Sequence, residues 1–328
     1  MRSAPNPVPM AQLSNLLLKL SRELFPDRTE REMFISALVH PRPCDTYLLW
    51  CQPKQQVFEL RAALDWQPEF VDRLAPGQQP EKHLLFQQGA YDSVEFTALF
   101  VASLLLSLGD RPGLIFDLCA GTGSNSVFAW QLLQPKLLLA NTLIRQHHRL
   151  LLGHLRRCGI TPAAMMSVDS GVLAEVIPGT ADLVIVDAPS SAQSVLARGR
   201  LNPGCFHPVT IAKYAKCQRR LLANASRLVA PQGYLLYTTR TYSLDENEHI
   251  LDWFLDRFSQ FVPCVVPHLS RFQSRFTPLS AYRLFPQDDF PNGAWGLGGF
   301  TTLLQNTTVG STRSLSPHFL TQPRISQV

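Results

Sequence analysis

Several short stretches hold side chains whose types and spacing could act on a ligand. The first runs Asp117-Leu-Cys119-Ala120-Gly121-Thr122-Gly123-Ser124-Asn125-Ser126. Glycines at 121 and 123 permit tight backbone dihedrals and let a ligand come close to the main chain. A helix opening just after them would present unpaired N–H groups, the usual equipment of a nucleotide-binding turn. The other stretches are polar residues that end apolar runs: Asn141-Thr142, Asp169, Asp187-Ala-Pro189-Ser190-Ser-Ala192 and Thr238-Thr-Arg240. One acid in such a place is usually a helix cap, but four polar tips in register describe a binding edge. A dinucleotide is one candidate ligand, because a glycine-rich turn after a strand also fits a pyrophosphate. Nicotinamide is disfavoured, since Asn141-Thr142 offers no acid to grip a ribose hydroxyl.

For these residues to meet, the runs before them must be neighbouring strands. Leu114 to Phe116, Leu137 to Ala140, Ala164 to Val168, Leu183 to Val186 and Tyr234 to Tyr237 are short and apolar, and helical patterns such as Val127 to Leu133 separate them. That alternation predicts an α/β fold with a doubly wound, mostly parallel sheet over residues 83–306. Ligands of such sheets sit at the carboxyl ends of the strands, where the polar tips fall. Residues 1–80 mix a helical period, Leu13, Leu16, Leu17 and Leu20, with proline joints at 41, 43, 53, 68 and 76, and predict a small N-terminal accessory domain. Residues 307–328 are Ser/Thr-rich with little to bury, and are expected to be a disordered tail.

Composition bounds the function. A chain of 328 residues with 45% apolar content can hold one large domain and a small appendage. A net charge of +5 suits an anionic partner such as RNA, and suits any mildly basic protein as well. The seven cysteines, at 44, 51, 119, 158, 205, 217 and 264, form no C-x-x-C pair, so neither a disulfide framework nor a metal site is expected. The N-terminus lacks a basic-then-apolar leader, and no run approaches the roughly 18 apolar residues of a membrane span. A cytoplasmic protein without a membrane partner is the expectation.

In order and spacing the motifs resemble the Sun family of RNA (cytosine-5) methyltransferases, the RsmB and RsmF kind, over about residues 30–306. Asp117-x-Cys119-x-Gly121-x-Gly123 resembles the S-adenosylmethionine loop of class I methyltransferases. LLANTLIRQHHRLLLGHLRRCGI (138–160), VDSGVL (168–173), DAPSSA (187–192), YAKCQRRLL (214–222), YTTRTYSLDENE (237–248) and YRLFPQ (282–287) with Gly299-Phe300 are similar to the family's later segments. The resemblance implies a Rossmann-like class I methyltransferase fold, S-adenosylmethionine as cofactor and RNA, by family ribosomal RNA, as partner. It implies cofactor contacts from Asp117 and from Cys119, Ala120, Gly121, Thr122, Gly123, Ser124 and Asn125. It further implies a ribose contact at Thr142, an adenine-side contact at Asp169 and a site role for Asp187.

Two positions of the family's chemistry are altered. Carbon 5 of cytosine is too poor a nucleophile to take a methyl group unaided, so the family adds a cysteine thiolate to carbon 6. Arg240 occupies that cysteine's position, and a guanidinium cannot attack. Ser190 stands for the second family cysteine, which helps release the product. Cys119 and Cys217 read as packed residues, not substitutes. Thr142 stands where the family has an acid and Asn125 where it has lysine; losing a charge-assisted bond costs on the order of 1 to 2 kcal/mol, roughly ten-fold in affinity. Arg240 itself either clamps an anion in bidentate fashion or pairs with Asp245 or Glu246, the acids of a capping box Ser243-Leu-Asp-Glu246.

For RNA, Arg271, Phe272, Arg275, Phe276 and Tyr282 interleave cations with rings as a stacking surface needs. Arg145, His147, His148, Arg149, Arg156 and Arg157 form one further basic cluster; Lys213, Lys216, Arg219, Arg220 and Arg227 form another. The expectation is a Sun-family homologue that binds S-adenosylmethionine and RNA without cytosine-5 activity. An active RNA methyltransferase of altered chemistry, with Asp187 as a base toward an amine or hydroxyl, remains open, as does a non-catalytic RNA-binding or assembly scaffold.

Overall fold

Local chemistry starts the first helices. Ser14 accepts from the Leu16 N–H to cap α1 (Asn15–Leu24), and Asp27 accepts from the Glu30 N–H to cap α2 (Arg28–Val39). The computed structural model describes residues 14–109, 111–288 and 293–328, so Leu13 of the helical period lies outside the described residues. Strands β1 (Thr46–Trp50) and β2 (Val71–Arg73), the short α3 (Leu84–Gln87) and β3 (Tyr91–Glu95) follow. The three strands form an antiparallel sheet in the order β2-β1-β3, with Trp50 opposite Tyr91 and Thr46 opposite Glu95.

After α4 (Phe96–Ala102) strands and helices alternate: β4 (Leu114–Asp117), α5 (Ser124–Leu133), β5 (Leu137–Asn141), α6 (Arg145–Arg157), β6 (Ala163–Met166), α7 (Ser170–Val176), β7 (Ala181–Asp187), α8 (Pro208–Leu228), β8 (Val229–Thr239) and α9 (Glu248–Arg257). Then come β9 (Phe261–Pro263), β10 (Tyr282–Leu284), β11 (Gly299–Asn306) and β12 (Ile325–Gln327). The large sheet has the order β10-β11-β8-β7-β4-β5-β6-β12, with β9 on β11. Strands β4 to β8 pair in parallel. Winding runs outward from β4 in both directions, so the switch point, and the crevice a ligand would use, lies at the carboxyl ends of β4 and β7.

Period-two alternation divides the sheet's side chains between two cores. Ile115, Leu138, Ile185 and Leu236 face α4, α5 and α6 with Phe100, Val127 and Leu151. Phe116, Leu139, Val184 and Leu235 face α7, α8 and α9 with Leu173, Leu222 and Leu251.

The domain plan needs two corrections. Tyr47, Leu49, Val71 and Val94 of the small sheet belong to the same apolar cluster as β4 and α5, and β3 lies beyond residue 80. Helices α1 and α2 likewise bury Leu24 and Phe34 against Tyr242, Phe285 and Trp295. The N-terminal elements thus share their core with the α/β unit, because each is too small to cover its own apolar face. The segment expected to be disordered carries β12, which pairs antiparallel with β6. Pairing rewards its backbone where composition offered few apolar side chains, and Phe319 buries besides.

Candidate active site

The end of β4 delivers Asp117 into a fully buried position, where Ser126 Oγ donates to its Oδ2 at 2.7 Å. Its Oδ1 is buried without a hydrogen-bond partner among the described residues. Burial pushes the carboxyl up to about 7; the Ser126 bond opposes that shift and the Asp187 charge adds to it. The loop beyond is pinned from the next tip. Ala120 N–H donates to Asn141 O at 2.9 Å, and the buried Asn141 side chain donates to Leu118 O and accepts from the Val168 N–H. Asn141 therefore stitches three strand ends together. Gly123 has φ of 102°, and a Cβ there would lie 2.9 Å from Leu151 of α6, so this glycine is demanded by helix packing as well as by backbone conformation. It also caps α5 without a side-chain acceptor, leaving the first-turn N–H groups of Ser124 and Asn125 to the crevice.

Asn125, Asp187, Ser190 and Arg240 converge across three elements. Asn125 Nδ2 donates to Asp187 Oδ2 at 3.1 Å, and Arg240 Nη2 approaches the same oxygen at 3.6 Å. The Arg240 N–H lies 3.4 Å from Ser190 Oγ, so the two residues are neighbours. Among the described residues the Arg240 side chain makes no hydrogen bond, and it is 31% exposed. Its expected pairing with Asp245 or Glu246 does not form. Asp245 pairs with His249, while Glu246 is buried and accepts from the Ser191 N–H, Ser191 Oγ and Gln218 Nε2. The capping box is absent for the same reason: Ser243 makes no side-chain cap, and Asn247 precedes α9.

The remaining tips spend their polar atoms locally. Thr142 is buried and its hydroxyl accepts from the Ile144 N–H at 3.4 Å; Asp169 accepts from the Gly171 N–H at 2.8 Å and caps α7. The Cys119 thiol is pushed well above its ordinary value by burial and by Asp117 and Asp187, which keeps it protonated. Cys205, pushed up to about 11 by burial, is equally inert.

Sequence reasoning missed two features of the rim. His154 of α6 bonds Thr122 O at 2.6 Å and lies 2.9 Å from Asp92 of the small sheet, tying the loop to both neighbours. Glu95 and Arg198 form an ion pair between β3 and the segment after β7, and both act on the half-buried Cys44 thiol together with Arg240. No sequence spacing announces either pairing, because the partners are distant in the chain.

The aromatic and basic loop expected to stack RNA is consumed by packing. Phe272 and Tyr282 are buried, Tyr282 Oη accepts from the Val266 N–H, and Arg275 pairs with Glu30 at 2.9 Å over the Phe25 ring. Phe276 packs against the α1–α2 cluster, while Phe272 and Tyr282 join the core around Phe100, apolar contacts that outweigh their solvation. Arg157 is spent as well, bonding Phe86 O, Tyr91 O and Asp92. No helix among the described residues is long and apolar enough to cross a membrane, and they contain no group of three or more His, Cys, Asp and Glu able to hold a metal.

The family described as 16S rRNA methyltransferase RsmB/F matches residues 104–295. Ribosomal RNA small subunit methyltransferase F of Enterobacter sp. (strain 638) is 29% identical over 211 residues, covering 62% of this chain and 42% of that protein. The protein of the same name from Aeromonas hydrophila is 30% identical over 176 residues, 53% of this chain and 36% of that one. The chain thus spans about two fifths of the length of these relatives. A solved methyltransferase homolog protein from Pyrococcus horikoshii superimposes with a TM-score of 0.73 at 18% identity, over 90% of this chain and 96% of that one. NSun6 from Pyrococcus horikoshii with SFG gives 0.67 at 15% identity, over 90% and 99%. At these identities the likeness speaks for the fold, a Rossmann-like methyltransferase sheet. The match over more than half its length places this chain in the 16S rRNA methyltransferase RsmB/F family.

Proposed function

We propose that this protein binds S-adenosylmethionine at the β4–α5 loop and ribosomal RNA at the adjoining rim, and does not carry out cytosine-5 methylation. The residues present fit the cofactor. The uncapped N-terminus of α5 suits a carboxylate or hydroxyl, and Leu143 and Ile144, about half exposed beside the β5 tip, offer an apolar seat for an adenine. In this assignment the loop from Cys119 to Asn125 holds the methionine portion, Thr142 the ribose and Asp169 the adenine side. When bound, the cofactor supplies an electrophilic methyl group on a sulfonium.

The observation that carries the reading is Arg240 beside Asp187 and Ser190, at the position where the family keeps its nucleophile. A guanidinium has no lone pair to add to a pyrimidine, and the protonated Cys119 does not replace it. Asp187 Oδ2 is already shared by two donors, which favours a binding role over that of a waiting base. For RNA, α6 and α8 begin at the carboxyl edge of the sheet, and Arg145, Arg149, Lys213 and Lys216 in their N-terminal halves are exposed.

Calorimetry with S-adenosylmethionine should give measurable heat, and ribosomal RNA incubated with labelled cofactor should gain no 5-methylcytosine. Label in 5-methylcytosine would overturn the proposal; label elsewhere on the RNA would establish altered chemistry instead.

A further inference from the structure

We propose that Arg240 makes this pocket select the uncharged thioether S-adenosylhomocysteine over the sulfonium S-adenosylmethionine. The inference rests on the cofactor reading above and deepens it. The two nucleosides share adenine, ribose, ammonium and carboxylate, so every contact to those groups cancels in a comparison. They differ by one methyl group and one positive charge at sulfur.

The charges around the crevice decide which is favoured. Asp187 is offset by Arg240 at 3.6 Å, and Glu95 is offset by Arg198. The nearby hydroxyl of Ser190 and thiol of Cys119 carry no charge, and neither Thr142 nor Asn125 supplies one; of the remaining acids, Asp117 is raised to about 7 by burial and Asp169 stands at the end assigned to adenine, so Arg240 is the cation assigned nearest the sulfur. Arg240 reaches the carboxylate oxygen that Asn125, in the first turn of α5, also holds, so its cation stands beside the loop assigned to the amino-acid end of the ligand. A thiolate in that place would attract a sulfonium; a permanent guanidinium repels it. In a partly solvated crevice, one unit charge within several ångström changes affinity by about ten-fold. Should Arg240 also clamp the ligand's carboxylate, both nucleosides gain equally and the discrimination stands.

The test is calorimetry of the full chain with each nucleoside separately, on wild type, Arg240→Gln, Arg240→Lys and Asp187→Asn. The quantity read is the dissociation constant for S-adenosylmethionine divided by that for S-adenosylhomocysteine. It should exceed one in wild type, fall about ten-fold in Arg240→Gln and stay near the wild-type value in Arg240→Lys. In Asp187→Asn, which unmasks the guanidinium, it should rise, so the proposal can be read even where one variant folds poorly. A ratio unmoved by Arg240→Gln and by Asp187→Asn would overturn the inference while leaving the cofactor reading intact. Absence of binding by both nucleosides to wild type would overturn the cofactor reading and the inference with it.

Discussion

The Arg240 backbone N–H lies 3.4 Å from Ser190 Oγ at the tips of β8 and β7, so the two residues share one corner of the crevice. On the proposed function, placing cysteine at both, Arg240→Cys with Ser190→Cys, should let the protein be trapped covalently on RNA carrying 5-fluorocytosine, where wild type gives no adduct on a denaturing gel. No adduct in the double variant would mean that the pocket has changed beyond these two side chains. Asp117 permits a second prediction. Its folded pKa of about 7 lies above the ordinary 3.8, so its contribution to stability is full below pH 3.8 and is lost as pH rises through 7. Asp117→Asn keeps an acceptor for Ser126 and removes the buried charge. It should flatten the pH dependence of urea unfolding between pH 4 and 7 and add on the order of 2 kcal/mol at pH 8. At this scale the sequence singled out Arg240 and Asp187 but not their partners: Arg240 pairs with Asp187, because Glu246 is drawn beneath β8 by Ser191 and Gln218.

Elements add ties that a linear pattern hides. Glu246-Asn-Glu248 reads as a helix start, yet all three side chains are buried. Glu248 pairs with Arg283 of β10 and accepts from Ser274, while Asn247 accepts from Thr239 Oγ1 at the end of β8. These bonds fasten the end of β8, next to Arg240, through the start of α9 to β10. Glu248→Gln should cost about 3 kcal/mol in urea unfolding, since Arg283 would stay buried without its counter-charge. The β3–α6 tie is sensitive to pH. Burial alone would lower His154, but Asp92 at 2.9 Å and the neighbouring Cys158 raise it from 6.5 to about 10. The stability this provides is complete below pH 6.5 and is lost as pH climbs through 10, so unfolding free energy should decline between pH 6.5 and 10. Asp92→Asn should remove most of that decline; an unchanged slope would assign it to other groups.

In the whole molecule, the small sheet, the α1–α2 hairpin and the C-terminal strand all lean on one α/β body. Val328 N–H donates to Ala163 O and Arg156 to Gln327 O, so β12 covers an edge that β6 would otherwise expose. Deleting residues 315–328 should lower the melting temperature by several degrees and raise self-association in light scattering, the former through lost burial of Phe319 and the latter through the bared edge. An unaltered melt would make β12 an ornament of the fold. By itself the sequence determined the α/β body, the loop at 117–126 and the strand tips, because apolar period and turn chemistry are local properties written in consecutive residues. Tertiary structure alone decided which side chains pair: Asp187 with Arg240, Glu248 with Arg283, His154 with Asp92, and Arg275 with Glu30 and the Phe25 ring. Partners tens to hundreds of residues apart are chosen by competition for burial and counter-charge, which exists only once the chain has closed on itself.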